Sequence, residues 1–115
     1  MTTPGDAYAT IERFWNIQDG GDYTRVVELF AADAVLVDPI YGTFNGRDAI
    51  AGFMAKMNRE VTKAGASFRL VELAGGDNAA WAQWAMVTAD GERSGVGIYR
   101  VSNGLITYYR DYMDK

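Results

Sequence analysis

The spacing of apolar residues changes at Gly65, and this change limits the folds that the chain can adopt. Before Gly65, apolar residues recur at the intervals of amphipathic helices, whereas after it they alternate with a period of two, as in strands. The second part contains strand-like runs at 67–73, 79–88, 95–101 and 105–113, joined by the turn-forming sequences GGDN, ADGER and SNG. These runs predict an antiparallel meander, and helices followed by such a sheet indicate an α+β fold.

The first part of the chain predicts three helices and one short strand. The helices cover about 3–18, 22–31 and 47–64, and the strand covers 34–38. Pro4 suits a first helical turn, Asp22 can cap the second helix, and Pro39 ends the strand. Each helix is apolar on one side and needs a surface to cover. We therefore expect the three helices to pack on a curved, mainly antiparallel sheet.

The length and composition predict one domain, 1–115, and restrict its chemistry. A chain of 115 residues buries enough surface for a core and one pocket. It has no cysteine and no histidine, which excludes disulfides, thiolate nucleophiles, Ser-His-Asp triads and the common imidazole metal sites. Proton transfer is left to Asp, Glu, Tyr, Lys and Arg. We expect no metal and no organic cofactor.

The charge and hydropathy of the chain indicate what kind of partner it has. The formal charge of −4 and the lack of a Lys/Arg cluster argue against nucleic acid. No run approaches the ~18 apolar residues of a membrane span, and the first residues lack the basic and apolar regions of a signal peptide. We expect a cytoplasmic protein that binds a small hydrophobic molecule and neither nucleic acid nor membrane.

The last predicted strand carries Asp111 among aromatic side chains. Strand alternation places Tyr109, Asp111 and Met113 on one face. If this face meets the core, Asp111 lies in an apolar recess, where a carboxylate is costly to ionise. Asp111 is therefore a candidate acid or base. The structural alternative is that it pairs with an arginine, a backbone N–H group or a Tyr hydroxyl.

The other face of the sheet predicts a homodimer. With Trp81, Gln83 and Ala85 turned towards the pocket, the outer face is rich in aromatic residues, Met and Arg. Its predicted members are Ala82, Trp84, Met86, Ile98, Arg100, Tyr108, Arg110 and Tyr112. These residue types are enriched in protein interfaces, and sheet-to-sheet pairing of two copies would bury them. We expect Trp84 and Tyr108 near the centre of that interface.

Two segments carry a resemblance to a known superfamily, VVELFAADAVLVDPIYGTFNGRDAI and the closing GLITYYRDYMD. With the order of helices and strands between them, the chain resembles ketosteroid isomerases, SnoaL-like polyketide cyclases, limonene epoxide hydrolases and nuclear transport factor-like proteins. The resemblance covers nearly the whole chain. It implies a cone-shaped α+β barrel, with a pocket between the inner face of the sheet and the helices, and usually a dimer.

The resemblance also assigns residues, one position at a time. The general base of ketosteroid isomerases lies in a segment like LVDP, which places it on Asp38. The positions of their oxyanion-hole tyrosine and aspartic acid fall on Phe14 and on or next to Gly97, neither of which can donate the hydrogen bond. The water-activating aspartate of limonene epoxide hydrolases falls on Asp111. The arginine of their charged relay falls on Gln83, so the relay is absent.

Asp38 and Asp111 are thus the candidate catalytic residues, as two carboxyl groups that push each other's pKa apart in one pocket. The structural alternative for Asp38 is that it only caps the turn at Pro39. The candidate substrate-binding residues are Phe14, Leu36, Tyr41, Phe53, Gln83 and Tyr109. Two functions remain open: an isomerase, cyclase, dehydratase or hydrolase acting on a hydrophobic, polyketide- or terpenoid-like substrate, or a non-catalytic module that binds an apolar ligand or another protein.

Overall fold

The structure, a computed structural model, describes residues 6–19 and 23–113. The predicted helix start at Pro4, the Gly20-Gly21 stop and the Asp22 cap lie outside these residues. In chain order the elements are α1 (Asp6–Asp19), a 3₁₀ helix (Tyr23–Leu29), β1 (Phe30–Asp38), β2 (Gly42–Asn45), α2 (Arg47–Ala64), β3 (Ser67–Gly75), β4 (Ala79–Thr88), β5 (Gly91–Ser102) and β6 (Leu105–Met113).

The strands of the described region form one six-stranded sheet in the order β2-β1-β6-β5-β4-β3. Strands β3 to β6 make an antiparallel meander, as their turn sequences predict, and β2 pairs antiparallel with β1. Strands β1 and β6 pair in parallel, with Leu36 opposite Tyr109. The α+β class and the mainly antiparallel sheet are thus confirmed, and the sheet is open, with β2 and β3 at its edges.

The second predicted helix is shorter and tighter than the sequence pattern indicates. Its residues form the 3₁₀ helix Tyr23–Leu29, and β1 begins at Phe30, earlier than predicted. Val26 and Leu29 lie three residues apart and are both buried, which fits three residues per turn. Phe30 pairs with Ile106 of β6. Sheet pairing therefore takes the residues that were expected to form the last helical turn.

Helices α1 and α2 pack on the sheet with the apolar sides that their sequences predict. The buried apolar residues of the two helices are Ala7, Ile11, Phe14, Trp15, Ile50, Phe53, Met54 and Val61. Burying a large side chain of this kind contributes roughly 1.5–3 kcal/mol. The start of α1 is fastened to the turn between β3 and β4, because two N–H groups of its first turn donate to the carbonyl oxygens of Gly76 and Asp77. Within the described residues, no helix has the length and apolarity to cross a membrane.

The two faces of β4 are the reverse of the prediction. Trp84 is 5% exposed and Ala82 is fully buried on the inner face, whereas Trp81, at 39%, and Gln83 are exposed on the outer face. The predicted outer residues Ala82, Trp84 and Met86 are therefore inner residues, and the predicted pocket residue Gln83 is an outer one. Successive side chains of a strand point to opposite faces of the sheet. An error of one residue in the predicted orientation of the strand therefore exchanges its two faces. From residue 80 to residue 86, the face that the helices cover contains only apolar side chains.

Candidate functional site

A pocket of about 110 Å³ lies between the inner face of the sheet and the helices. A cavity that holds one water molecule has a volume of about 10–15 Å³, so this pocket has room for a small organic molecule. Its wall is formed by α1, the turn after β1, α2 and strands β3, β4 and β6. Its aromatic and thioether groups include Trp15, Phe53, Phe68, Trp84, Met54, Met57, Met86 and Met113. Such a wall suits an apolar ligand and adapts to its shape.

The carboxyl of Asp111, on β6, interrupts this apolar wall. The hydroxyl of Tyr109 donates to Oδ2 at 2.7 Å, and Nε1 of Trp84 donates to Oδ1 at 3.2 Å. Burial raises the pKa of Asp111 to about 7; the negative charge of Asp38 adds to the rise, and the two donors act against it. A carboxyl with a pKa near 7 can take up and release a proton at neutral pH.

A second layer of aromatic side chains holds Tyr109 in place. Tyr99, on β5, is fully buried and stacks on Tyr109, with ring centroids 4.4 Å apart and ring planes at 26°. Nε1 of Trp15 donates to the hydroxyl of Tyr99 at 3.2 Å. Burial raises the pKa of both tyrosines, so both hydroxyls keep their protons. Side chains from α1 and β5 therefore fix the tyrosine that binds Asp111.

Two glycines of β5 give these side chains room. Gly97 lies opposite Asp111 in the sheet. A Cβ atom at Gly97 would lie 3.0 Å from Oδ1 of Asp111 and 2.9 Å from the hydroxyl of Tyr99. A Cβ atom at Gly95 would overlap the indole ring of Trp84. The two glycines thus leave a groove on the inner face of the sheet in which the indole and the carboxyl meet.

Asp38, at the end of β1, also lines the pocket, but it has a structural role as well. Its Oδ2 accepts hydrogen bonds from the backbone N–H groups of Ile40 and Tyr41, both at 2.9 Å, so it caps the turn that follows β1. Both bonds use the same oxygen, and within the described residues Oδ1 has no protein partner. Asp38 and Asp111 thus lie on the wall of one pocket. Neither belongs to a group of three or more potential metal ligands among the described residues.

The predicted substrate-binding residues fall into two groups. Those that line the pocket are Tyr41, Phe53 and Tyr109. Phe14 and Leu36 are corrected to core residues, because they are 0% and 2% exposed and do not reach the pocket wall. Phe14 instead contacts the ring of Tyr109 edge-on, with centroids 5.7 Å apart. Gln83 is corrected to the outer face of the sheet, because the faces of β4 are reversed.

Two further pocket residues are Trp84, which was predicted to lie on the outer face of the sheet, and Gln18, for which no role was predicted. One signal for Trp84 lies in β4 itself, where the even positions from 80 to 86 are apolar while Gln83 makes the other face polar. The glycines of β5 are a second signal, because they leave space for a large neighbour. Gln18 lies three residues after Trp15, on the same side of α1, so helical spacing relates them.

Comparison with known proteins agrees with this architecture. A family model described as the SnoaL-like domain matches residues 11–109. An NTF2-like protein of unknown function from Mesorhizobium loti is 26% identical, with a TM-score of 0.78 over 96% of this chain and 92% of its own. No curated protein matches the chain.

Two further solved structures share the fold at lower identity. A candidate ketosteroid isomerase from Kribbella flavida is 19% identical, with a TM-score of 0.82 over 100% of this chain and 82% of its own. A protein of unknown function with a cystatin-like fold, from Methylobium petroleophilum, is 18% identical, with a TM-score of 0.78 over 96% of this chain and 77% of its own. These two similarities show the fold alone, whereas the family model spans most of the sequence. The chain therefore belongs to the family of SnoaL-like domains.

Proposed function

We propose that this protein is an enzyme that transfers a proton on a small, largely apolar molecule, with Asp111 as the acid/base group. The observation that carries the proposal is the carboxyl of Asp111 in an apolar pocket wall, held by Tyr109 and Trp84 and with its pKa raised to about 7. General acid/base catalysis is most effective when the pKa of the group lies near the working pH. The membership in the SnoaL-like family supports an enzyme of this kind.

The proposed chemistry uses both carboxyl groups. The ionised carboxylate of Asp111 accepts a proton from the substrate. The protonated carboxyl then returns a proton to the substrate. Oδ1 of Asp38 is available as a second polar contact, because the turn after β1 uses Oδ2. A proton shift next to a carbonyl group is common to isomerisation, cyclisation and dehydration of polyketide- or terpenoid-like molecules. We therefore propose a ketone or a related carbonyl compound as the substrate class, with hydrolysis as a less favoured reaction.

The alternative is a module that binds an apolar ligand without catalysis. It is favoured by the bonds that the carboxyl groups make within the protein, because both oxygens of Asp111 accept hydrogen bonds and Asp38 caps a turn. A carboxyl that is fully used in structure needs no chemical role. The two functions differ in one observable, the exchange of substrate protons with water.

The test is proton exchange in deuterated buffer. Cyclohexanone and 1-tetralone are incubated with the protein, and the uptake of deuterium next to the carbonyl is followed by mass spectrometry. We expect uptake above the buffer rate, and a loss of about 100-fold or more in Asp111→Asn, in line with the usual contribution of general acid/base catalysis. Asp90→Asn, at an exposed carboxylate in the β4–β5 turn, is the matched control. Binding of these ketones without any exchange would favour the module.

We also propose that two copies pair through the outer face of the sheet. Large apolar side chains are exposed on this face, with Trp81 at 39%, Ile98 at 40% and Tyr112 at 44%. The guanidinium group of Arg110 lies 4.9 Å from the ring centre of Tyr112. Exposed aromatic and arginine side chains of this kind are common in protein interfaces. Because the faces of β4 are reversed, Trp81 takes the position near the centre of the proposed interface that was predicted for Trp84.

The composition and charge of the chain also bear on its domain organisation, its cellular location and its partner. We propose that residues 1–115 act as one domain. We also propose that the protein works in the cytoplasm, because a chain without cysteine suits a reducing compartment. The negative formal charge supports a small-molecule partner over nucleic acid. Fractionation of the source cells, with detection by antibody, tests the location. A protein recovered from the membrane or the medium would contradict it.

A further inference from the structure

The inner face of the sheet forms the pocket wall in successive rows of side chains, and Asp111 lies in the first row. In the second row, Trp84 of β4 and Met113 of β6 both lie opposite Gly95. In the third row, Met86 lies two residues beyond Trp84. Two residues of a strand span about 6.6 Å, so this wall extends roughly 13 Å along the sheet from the row of the carboxyl. The pocket therefore has two ends of different chemistry.

The carboxyl end of the pocket, formed by Asp38, Trp84, Tyr109 and Asp111, is held by hydrogen bonds. Tyr109 and Trp84 are both buried, and each donates to Asp111. Oδ2 of Asp38 accepts bonds from two backbone N–H groups. Buried side chains with fixed partners keep one conformation, because any other leaves a polar group unpaired. This end therefore presents its polar groups to a ligand at fixed positions.

The thioether end of the pocket, formed by Met57 of α2, Met86 of β4 and Met113 of β6, is built from adaptable side chains. The described residues contain four methionines, and all four line the pocket. Met54 is buried at 4% exposure, whereas the three methionines of the thioether end are partly exposed. A methionine side chain is unbranched and has three rotatable bonds, so it changes shape at little cost.

We propose that the pocket selects a substrate by its reacting group and accepts apolar substituents of different shapes beside that group. The carboxyl end fixes the reacting group, and the thioether end rearranges around the rest of the molecule. The proposal rests on the proposed function in one respect, because it places a carbonyl group at Asp111. The substrates are then a set of ketones that share this group and differ in an apolar substituent.

Exchange of methionine for leucine separates adaptability from apolarity. The two side chains are similar in volume and both are apolar, so the exchange is usually tolerated in a folded protein. Leucine is branched and has fewer rotatable bonds, so it adopts better-defined rotamers than methionine. A ligand that overlaps such a wall forces side chains out of their preferred rotamers. A leucine wall should therefore distinguish between ligands that a methionine wall accepts equally.

The experiment measures the binding of two isomeric ketones to the full chain by isothermal titration calorimetry. 4-Butylacetophenone and 4-tert-butylacetophenone have the same carbonyl group and the same number of carbon atoms, but their substituents differ in shape. We expect the wild-type protein to bind them with Kd values within about 3-fold of each other. In the triple variant Met57→Leu, Met86→Leu, Met113→Leu, we expect this ratio to rise to about 10-fold or more. Leu105→Met, the reverse exchange at the start of β6 and outside the pocket wall, is the control and should match the wild type.

Three results would overturn the proposal: a wild-type ratio above about 3-fold, a ratio that does not rise in the triple variant, or no binding of either isomer. If the triple variant does not fold, NMR of the wild type with ¹³C-labelled methionine methyl groups decides. We expect the two isomers to shift the signals of the thioether end differently, and identical shifts would overturn the proposal.

These outcomes are independent of the test of the proposed function. Calorimetry and methyl NMR need no proton exchange, so equal binding of both isomers without deuterium uptake would count against the proposed function only. Deuterium uptake into 1-tetralone together with selection of one butyl isomer would count against the adaptable end only.

Discussion

The buried carboxyl of Asp111, which is proposed to exchange protons with the substrate, also affects the stability of the protein. Its pKa is 3.8 in an ordinary setting and about 7 in the folded protein, chiefly because of burial. At a pH between these two pKa values, the folded protein therefore holds a proton that the unfolded chain has released. Its free energy of unfolding falls as the pH rises through this range. Histidine and cysteine are absent, so few other groups titrate between pH 5.5 and 8.

Stability against pH is therefore the first prediction. We expect the free energy of unfolding to fall by about 2 kcal/mol between pH 5.5 and pH 8, and Asp111→Asn to remove this slope. Urea unfolding at several pH values, followed by tryptophan fluorescence, measures both proteins. A slope that persists in Asp111→Asn would assign it to another group.

Gly97 is the residue that makes space for this carboxyl. Gly97→Ala adds a Cβ atom at 2.9 to 3.0 Å from the Tyr99 hydroxyl and from Asp111 Oδ1, so both must move. We expect a loss of about 1–3 kcal/mol in the free energy of unfolding, as in other overpacked cores. Gly52→Ala, in α2, is the control, because its Cβ atom meets nothing within 4 Å. A stable Gly97→Ala with normal Asp111 titration would contradict the close packing.

At the scale of elements, the turn between β1 and β2 depends on Asp38. Asp38→Ala removes the acceptor of two backbone N–H groups, and we expect a loss of about 1–2 kcal/mol in stability. Asp38→Asn keeps an acceptor oxygen and should retain most of that stability while losing the charge. Comparing ketone exchange in the two variants separates the turn from the chemistry. Equal stability of the two variants would show that the turn does not need this cap.

The elements differ in how far the sequence could predict them. The bounds of β4 and β6 follow from the turn sequences around them, and the face of Asp111 follows from alternation within β6. The tryptophans do not distinguish the faces of β4, because each face contains one, so only Gln83 and the glycines of β5 indicate which face is buried. The resemblance placed Gln83 at a relay position and so favoured the wrong face. The 3₁₀ helix was missed because its pattern competes with pairing of Phe30 in the sheet.

At the scale of the whole molecule, the sequence predicts the architecture better than the site. The change of period at Gly65 and the hairpin turns are local signals, and they lead to the α+β class. The contacts of Asp111 depend on three other elements, because Trp84, Tyr99 and Trp15 come from β4, β5 and α1. No local pattern gives the distances between such residues. The contacts of the site therefore depend on the three-dimensional fold and do not follow from local sequence patterns.

The outer face of the sheet carries the prediction for assembly. Trp81→Glu places a charge in the proposed contact between two copies, where an unpaired buried charge is strongly unfavourable. We expect the wild-type protein to be a dimer at tens of micromolar and Trp81→Glu to be a folded monomer. Ile40→Glu, at an apolar residue that is 66% exposed beside the pocket, is the control. Light scattering measures all three, and a monomeric wild type would contradict the dimer.

If Asp111 exchanges protons at neutral pH, its carboxyl must titrate in that range, and NMR can follow this titration. The protein is labelled with ¹³C at the aspartate side-chain carboxyl carbons, and the signal missing from Asp111→Asn identifies the residue. We expect a midpoint near pH 7, because burial raises the pKa of this carboxyl. A midpoint near the ordinary value of 3.8 would contradict proton exchange at neutral pH, because the carboxyl would then be ionised throughout that range.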